Sequence, residues 1–357
     1  MKRIIIADLK SNNNNGICTG HYYALAENYR DVFSPFCEVK IASGPIYLKR
    51  FKKEEMLLLP YDYIAGESKI KNLIRIFFNA RFLFKHVGKD DVVIVQQSQP
   101  AMILLVLLFT FFGQCKLFQI QYSEEPMRRF SFKVMMFFAR KKIKGLICPN
   151  EIVGNAYRLP YIVVPDYIYV EKETNKPRIA YSEKVYDFAF VGRIAKDKGV
   201  AEAVKAMGGK SYTLLVAGLP QNQEEENSLK DTAAKCSNIK LKLEYVDDDD
   251  YDNYINNSRY CVLNYQGTYV ERSSGVVLDT IFRGVPIVGR KCRALQFVED
   301  ENLGFLYDDI NEYNFSDLLN ENKYASYLFS IDAYKLKFKK YRMKLVEYVM
   351  DVPNALV

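Results

Sequence analysis

The sequence has few of the side chains that usually hold metal ions or cross-link small domains. It contains only two histidines and seven cysteines in 357 residues, and the cysteines are widely spaced. An odd number of cysteines without close pairs argues against a disulfide framework and against a thiolate zinc site. We therefore expect reduced thiols, as is usual in the cytoplasm, and any metal would have to bind through carboxylates.

Long apolar runs are also missing. Lys2 and Arg3 precede only four apolar residues, Ile4 to Ala7, which is too short for the apolar region of a signal peptide. The longest apolar run, 101–112, has twelve residues. A helix needs roughly 20 apolar residues to cross a bilayer. We therefore expect neither a signal peptide nor a membrane span, and a cytoplasmic location.

Composition and charge fit a globular protein with two unlike halves. The chain is 49% hydrophobic and 26% charged, and its length allows two domains with separate cores. Lys and Arg exceed Asp and Glu by 10 in residues 1–170, whereas the remainder has a net charge of −3. A basic first half suits anionic lipid, nucleic acid or an anionic substrate, and charge alone does not choose among them.

Strand and helix patterns alternate along both halves, which predicts parallel sheets covered by helices on both faces. We expect a first domain at 1–170 and a second at 171–330, with a polar linker at 171–184. The apolar segment 101–112 is predicted to be a buried helix. A long basic and aromatic helix starts near Asp332, within a C-terminal segment at 331–357.

The segment 265–289 follows the pattern strand end, loop, helix, turn and strand. Ser273, Ser274 and Gly275 open the predicted helix. Free backbone N–H groups and the local dipole at a helix start favour a phosphate. Glu271 precedes this position and Asp279 follows it, so carboxylates for sugar and ribose hydroxyls lie on either side. The segment thus offers partners for each part of a nucleotide-sugar.

A second segment, 186–200, is predicted to be a strand that ends at Gly192 and Arg193, followed by a short loop and a helix opened by Lys198 and Gly199. It lies roughly eighty residues before the first motif, a separation that fits one nucleotide-binding domain of ordinary size. Each motif alone is weak, and the two together are more specific.

These two segments resemble the donor-binding motifs of retaining glycosyltransferases with the GT-B fold, in particular glycosyltransferase family 4. That family has a glutamate, seven residues and a second glutamate; here Glu271 and Asp279 occupy the two positions, and the second is one methylene shorter. The resemblance implies that Arg193 and Lys198 hold the donor diphosphate. It also implies that Glu271 binds donor-sugar hydroxyls and that Asp279 binds the ribose.

The same resemblance implies an architecture and an activity. The fold would be two doubly wound, Rossmann-like domains facing one another across a cleft, with the acceptor bound by the first domain, the donor by the second, and the last helix returning to the first. The enzyme would move a sugar from a nucleotide-diphosphate sugar to a glycan or lipid-linked acceptor during capsular polysaccharide, lipopolysaccharide or other cell-envelope synthesis. Neither a metal nor a nucleic acid partner is expected.

Other interpretations remain open at this point. Arg193, Lys198 and Glu271 could be ordinary solvated loop charges. An inverting GT-B enzyme would need a base, for which Glu124 and His21 are the candidates. A nucleotide-sugar epimerase or hydrolase on the same fold would need no acceptor, and a membrane-associated binding module would show no turnover.

Candidate acceptor-side residues follow two strands of the first domain. Gly16 and His21 lie in or beside the polar loop 10–19, which ligands approach in α/β sheets, although His21 could equally pack locally at a helix start. Glu124 and Glu125 could orient an acceptor hydroxyl, or they could meet the dipole of the next helix. We prefer the capping role for these two glutamates.

The segment Arg128 to Lys144 interleaves seven basic residues with phenylalanines and methionines. As a helix it would place apolar residues 130, 134, 137 and 138 on one side, which resembles a segment lying on an anionic membrane surface. The alternative is a domain helix with a basic solvent face, and this is the commoner use of such a pattern.

The acidic run Asp247 to Asp250 could coordinate a cation or cap the following helix. It lacks the spaced ligands of a calcium loop, so we favour the cap.

Overall fold

Two separate parallel sheets organise the chain. The computed structural model describes residues 3–18, 22–96, 115–164, 178–270 and 275–351. Contacts divide the protein into a first unit, Met1–Val170 with Lys339–Val357, and a second unit, Glu171–Phe338. The predicted helix at 101–112 lies outside the described residues.

The first unit is built on a seven-stranded sheet. Its strands, together with those of a small additional sheet, are β1 Arg3–Ala7, β2 Asn12–Asn14, β3 Ile17–Cys18, β4 Glu38–Ser43, β5 Met56–Leu58, β6 Tyr63–Ile64, β7 Val92–Val95, β8 Lys116–Ile120, β9 Gly145–Cys148 and β10 Tyr161–Val163. Its helices include α1 Tyr22–Phe33, α2 Lys69–His86, α3 Phe130–Ala139 and α4 Glu151–Tyr157. All neighbours in the order β10-β9-β8-β7-β1-β4-β5 are parallel.

The order of this sheet runs outwards in both directions from β1, which is the doubly wound arrangement predicted from the sequence. Alternate residues of β1 face opposite sides of the sheet. Ile4 and Ile6 pack in one apolar core with α1, whereas Ile5 and Ala7 pack in another with α2, α3 and α4. The successive residues Ile4 to Ala7 of β1 are therefore all apolar because both faces of the sheet are covered.

The polar segment 10–19, predicted to be a loop, contains a short hairpin. Strands β2 and β3 pair antiparallel, and β6 extends β2 to form a three-stranded sheet. Asn15 and Gly16 form the turn with φ angles of 50° and 80°. Asparagine and glycine tolerate this left-handed conformation better than other residues, so the asparagine-rich composition also suits a tight hairpin turn.

The second unit repeats the same architecture. Its strands are β11 Tyr186–Val191, β12 Leu214–Ala217, β13 Ile239–Lys242, β14 Ser258–Leu263, β15 Ile287–Arg290 and β16 Gly304–Tyr307. Its helices are α5 Val200–Met207, α6 Gln223–Ala233, α7 Asp248–Asn256, α8 Gly275–Phe282, α9 Gln296–Asp300 and the first part of α10 Glu321–Met350. The sheet is parallel throughout, in the order β13-β12-β11-β14-β15-β16.

Helix α10 belongs to both units. It begins at Glu321, earlier than the position near Asp332 expected from the sequence, and its residues from Lys339 onwards belong to the first unit. Leu345, Val346 and Val349 are buried in the first unit's core beside β1 and β7. The end of the chain therefore completes a core that the beginning of the chain starts.

None of the helices within the described ranges has the length and apolar character needed to cross a membrane.

We predict that Leu345→Ala destabilises the first unit by about 3 kcal/mol, because removing a fully buried leucine leaves a cavity. Leu345 is 0% exposed, whereas Leu336 on the same helix is 62% exposed. Urea unfolding of Leu336→Ala is the matched control and should differ from the unaltered protein by less than about 0.5 kcal/mol. Equal effects of the two substitutions would contradict the packing of α10 into the first unit.

Candidate functional site

The candidate site of the second unit begins where β11 ends. Gly192 follows the strand with a φ of +118°, a conformation that other residues rarely adopt, and Arg193 is exposed beside it. The carboxyl ends of parallel strands meet at one edge of the sheet, where ligands of α/β proteins bind. Arg193 therefore extends from the edge at which a ligand is expected.

Lys198 ends a single 3₁₀ turn, Lys196–Lys198, that leads into α5. The next residue, Gly199, has a φ of +61°, and a side-chain Cβ placed there would lie 2.2 Å from the main-chain oxygen of Asn264. Only glycine combines this backbone conformation with so close an approach to the end of β14. The Lys-Gly pair thus brings the lysine turn against the neighbouring strand.

The buried amide of Asn264 joins three elements at this edge. Asn264 is 1% exposed, and its Nδ2 donates to the Gly199 main-chain oxygen at 2.9 Å and to the Glu202 carboxylate at 3.1 Å. Its Oδ1 accepts a hydrogen bond of 3.0 Å from the Tyr307 hydroxyl. A buried amide with both donor and acceptor satisfied fixes the relative positions of β14, α5 and β16.

An open pocket lies at this edge of the sheet. Its lining includes Gly192, Arg193, Lys198, Tyr265 and Val276. Val276 is the second residue of α8, so the first turn of that helix also borders the pocket. Two basic side chains and a helix N-terminus around one space form a site for an anion.

Lys198 is partly buried, and its ammonium lies 5.5 Å from the ring centroid of Tyr269. Burial lowers the pKa of Lys198, and the nearby Arg193 lowers it further. Burial and the Arg193 charge both disfavour the protonated form of Lys198, and a bound anion would offset the repulsion from Arg193. The pocket therefore favours a ligand that carries negative charge.

The structure places part of the predicted donor motif beside this pocket. Gly275 is the first residue of α8, as predicted for the helix start. Glu271, Ser273 and Ser274 lie outside the described residues.

Asp279 is one turn further along α8 and is already engaged by neighbours. Its Oδ1 lies 3.6 Å from Nη1 of Arg283, and its Oδ2 accepts a weak hydrogen bond of 3.5 Å from the Tyr251 hydroxyl. Arg283 also donates to Asp252 at 2.8 Å, and Asp252 together with Asp279 raises the pKa of Arg283 although burial opposes them. A ribose hydroxyl would therefore share the Asp279 carboxylate with Arg283.

Of the acceptor-side candidates, Gly16 and the pair Glu124 and Glu125 lie in different elements of the first unit. Gly16 lies at the tip of the β2–β3 hairpin, where its main-chain oxygen accepts a hydrogen bond from Lys49. His21 lies outside the described residues.

Glu124 and Glu125 lie at a 3₁₀ turn, Glu125–Arg128, just before α3. Glu124 accepts a hydrogen bond of 3.1 Å from Arg128, whereas the Glu125 main-chain N–H donates to the Ser123 hydroxyl at 3.1 Å. Neither glutamate side chain caps the turn by a hydrogen bond, so the preferred capping role is limited to the charge of Glu125 in the first turn.

Asp247 has the predicted capping role at α7. Its side chain accepts a hydrogen bond of 2.8 Å from the Asp250 main-chain N–H. In the part of the chain that the structure describes, no group of three or more His, Cys, Asp or Glu side chains is arranged to hold a metal ion.

Sequence reasoning missed the residues that support the lysine turn, namely Asn264, Glu202, Tyr307 and Tyr269. Asn264 directly follows the last residue of β14, and a polar residue at the carboxyl end of a buried strand was the signal that could have identified it. Tyr307 gave no such signal, because a tyrosine at the end of a strand is typical of an apolar core.

Comparisons with known proteins give a family match for part of the chain and similar folds for nearly all of it. Residues 171–322 match the family described as glycosyl transferases group 1. A search of curated proteins found no match. Several solved structures are similar over nearly the whole chain, at identities that show the fold alone.

Three of these structures are the following. The E. coli trehalose-6-phosphate structure bound with UDP-2-fluoro glucose has a TM-score of 0.68 at 10% identity, covering 98% of this chain and 99% of that chain. AviGT4, a glycosyltransferase involved in avilamycin A biosynthesis, has a TM-score of 0.61 at 12% identity, with 98% and 97% covered. Anabaena Alr3699/HepE in complex with UDP-glucose has a TM-score of 0.60 at 12% identity, with 98% and 100% covered.

The family match over 171–322 and the fold of the whole chain together support a glycosyltransferase enzyme with the GT-B fold.

Proposed function

We propose that the protein transfers a sugar from a nucleotide-diphosphate sugar to a glycan or lipid-linked acceptor. The observation that carries the proposal is the pocket of the second unit, where Arg193, Lys198 and the first turn of α8 surround one space. The match of residues 171–322 to glycosyl transferases group 1 supports it. Two of the similar structures were solved with UDP-glucose or its 2-fluoro analogue, which supports a donor of this class.

The chemistry follows from the charges around the pocket. When the bond between the sugar and the diphosphate breaks, negative charge develops on the departing oxygens and the sugar becomes oxocarbenium-like. Arg193, Lys198 and the main-chain N–H groups at the start of α8 would lie beside that charge and stabilise it. The turn held by Asn264 keeps the lysine in place for this role.

The remaining donor contacts are assigned from the motif. Glu271 binds hydroxyls of the donor sugar, while Ser273 and Ser274 extend the anion site at the helix start. Asp279 binds the ribose, and Arg283 orients its carboxylate. The Asp279 side chain is 25% exposed, which allows a hydroxyl to approach.

The first unit is assigned to the acceptor, with Gly16, His21, Glu124 and Glu125 as candidate contacts. We propose a retaining, metal-independent enzyme of the glycosyltransferase family 4 type, in which the leaving diphosphate oxygen takes the acceptor's proton. Its setting would be the assembly of capsular polysaccharide, lipopolysaccharide or another envelope glycan at the inner face of the plasma membrane. The anomeric configuration of the product distinguishes this mechanism from an inverting one.

Nucleotide binding is the first test. The purified protein is heated with UDP, GDP, ADP, CMP or their common sugar conjugates, with and without EDTA. A ligand present at 100 times its Kd should stabilise the folded protein by roughly 2.7 kcal/mol, seen as a higher Tm. A shift that persists in EDTA supports a metal-independent donor site and identifies the base. The absence of a shift with every nucleotide would contradict the proposal.

We predict that Lys198→Met lowers turnover by about a hundredfold or more and weakens nucleotide binding, because it removes a cation from the leaving diphosphate. Lys196→Met is the matched control, since Lys196 is exposed on the same turn. The control should retain turnover within about threefold of the unaltered protein. Circular dichroism checks that both variants are folded. Normal turnover in a folded Lys198→Met variant would remove this assignment.

The affinity for the nucleotide should also depend on pH. A diphosphate binds the protonated lysine, and burial together with Arg193 holds the pKa of Lys198 below its ordinary value. Affinity should therefore be constant below that pKa and fall as pH rises through it, by up to about tenfold per pH unit. In Lys198→Arg the side chain stays charged, so titration calorimetry should show a flatter profile over the same pH range. The same steep fall in both proteins would contradict the role of Lys198.

A further inference from the structure

The helix α3 carries apolar residues on two opposite faces. Phe132, Met136 and Ala139 are buried in the core of the first unit. On the other face Phe130 is 82% exposed, Val134 40%, Phe137 58% and Phe138 64%. A surface helix of a globular domain normally presents polar residues at such positions. Four large apolar side chains on the outside of ten residues therefore call for a covering partner.

The exposed aromatic rings form a connected group. The centroids of Phe137 and Phe138 lie 5.4 Å apart in an edge-to-face arrangement. The guanidinium of Arg140 lies 4.8 Å from the centroid of the Phe137 ring. Apolar rings and a cation are thus held side by side, with the rings directed outwards from the core-facing side of the helix.

A dense group of positive charges flanks these rings. The segment 128–144 contains no acidic residue and seven basic ones, all exposed: Arg128, Arg129, Lys133, Arg140, Lys141, Lys142 and Lys144. Glu124 pairs with Arg128 at 3.1 Å and neutralises only part of this charge. We call the four outward apolar residues and these seven basic residues the α3 surface.

We propose that the α3 surface docks the protein onto an anionic lipid membrane. Phe130, Val134, Phe137 and Phe138 would enter the boundary between headgroups and acyl chains, while the basic side chains meet the lipid phosphates. The helix has ten residues and is about 15 Å long, half the thickness of a hydrocarbon core, so it would lie along the membrane.

Charge favours a membrane over a second copy of the chain. In a symmetric dimer formed through this surface, each group of seven cations would face the identical group, and like charges repel. An anionic bilayer supplies both phosphates for the cations and an apolar layer for the rings. The proposal deepens the proposed function by naming the lipid surface from which a lipid-linked acceptor would be reached.

The test is sedimentation of the full-length protein with vesicles of phosphatidylcholine alone or of phosphatidylcholine mixed with phosphatidylglycerol. We expect about tenfold or stronger binding to the anionic vesicles, and weaker binding at high salt. Phe137→Ser with Phe138→Ser should reduce the binding by about tenfold or more, as should Arg129→Gln with Lys141→Gln.

Matched controls separate this surface from general effects of exposed apolar or basic residues. Phe329→Ser removes an 80% exposed phenylalanine from α10, and Lys240→Gln with Lys242→Gln removes two exposed charges from β13. Both should bind vesicles as the unaltered protein does. Equal binding of the α3 variants and these controls, or no binding of the unaltered protein to anionic vesicles, would overturn the proposal.

Two further measurements separate the competing explanations. Sedimentation velocity without lipid would reveal a dimer that the phenylalanine variant abolishes, and this outcome would assign the surface to a second copy instead. The thermal shift with nucleotide should be unchanged in all α3 variants, because the donor site lies in the second unit. Failure of the unaltered protein to bind anionic vesicles while it still shows the nucleotide shift therefore counts against the docking surface, whereas absence of the nucleotide shift in the unaltered protein counts against the proposed function.

Discussion

The buried amide of Asn264 is the interaction on which the site of the second unit depends. Its contacts reach Gly199 at the start of α5, Glu202 one turn later, and Tyr307 at the end of β16. The lysine turn is too short to be stable by itself, so the neighbouring strand must hold it. Glycine at 199 permits the close approach of the lysine turn to the end of β14, and Asn264 holds the two together by hydrogen bonds. The position of Lys198 is in this sense determined by residues that do not line the pocket.

The fold could be predicted from the sequence because its signals are local and repeated. Apolar strands alternate with amphipathic helices, and each strand ends in a polar or glycine-containing loop, so two parallel sheets follow from general rules. Gly192, Arg193 and the Lys198–Gly199 pair were recognisable for the same reason, since each motif fits within a few residues. The supporting contacts of Asn264 with Gly199 and Tyr307 span 65 and 43 residues. No local pattern indicates such distant pairings, and they had to be found in the structure.

The partners of Asp279 and the orientation of α3 also could not be predicted from local sequence patterns. The spacing after Glu271 predicted a carboxylate in the helix. Tyr251 approaches that carboxylate from α7, and the spacing of the motif gives no information on where α7 lies. In α3 the periodic pattern grouped Phe130, Val134, Phe137 and Phe138 correctly on one face. A hydrophobic pattern normally marks the buried face, yet here that face is outside and Phe132 and Met136 face the core. When a helix is apolar on both sides, periodicity alone does not decide which side the sheet covers.

The sharing of α10 between the two units also constrains how the protein is made. During synthesis the residues of the first sheet emerge long before Leu345, Val346 and Val349, which complete one of its cores. The strands of the second unit are complete by Tyr307, and the first part of α10 then adds Tyr324 and Tyr327 to its core. Domains usually fold in the order in which they leave the ribosome. Here the core of the first unit stays incomplete until α10 is released, so its exposure to chaperones and to aggregation should last until then.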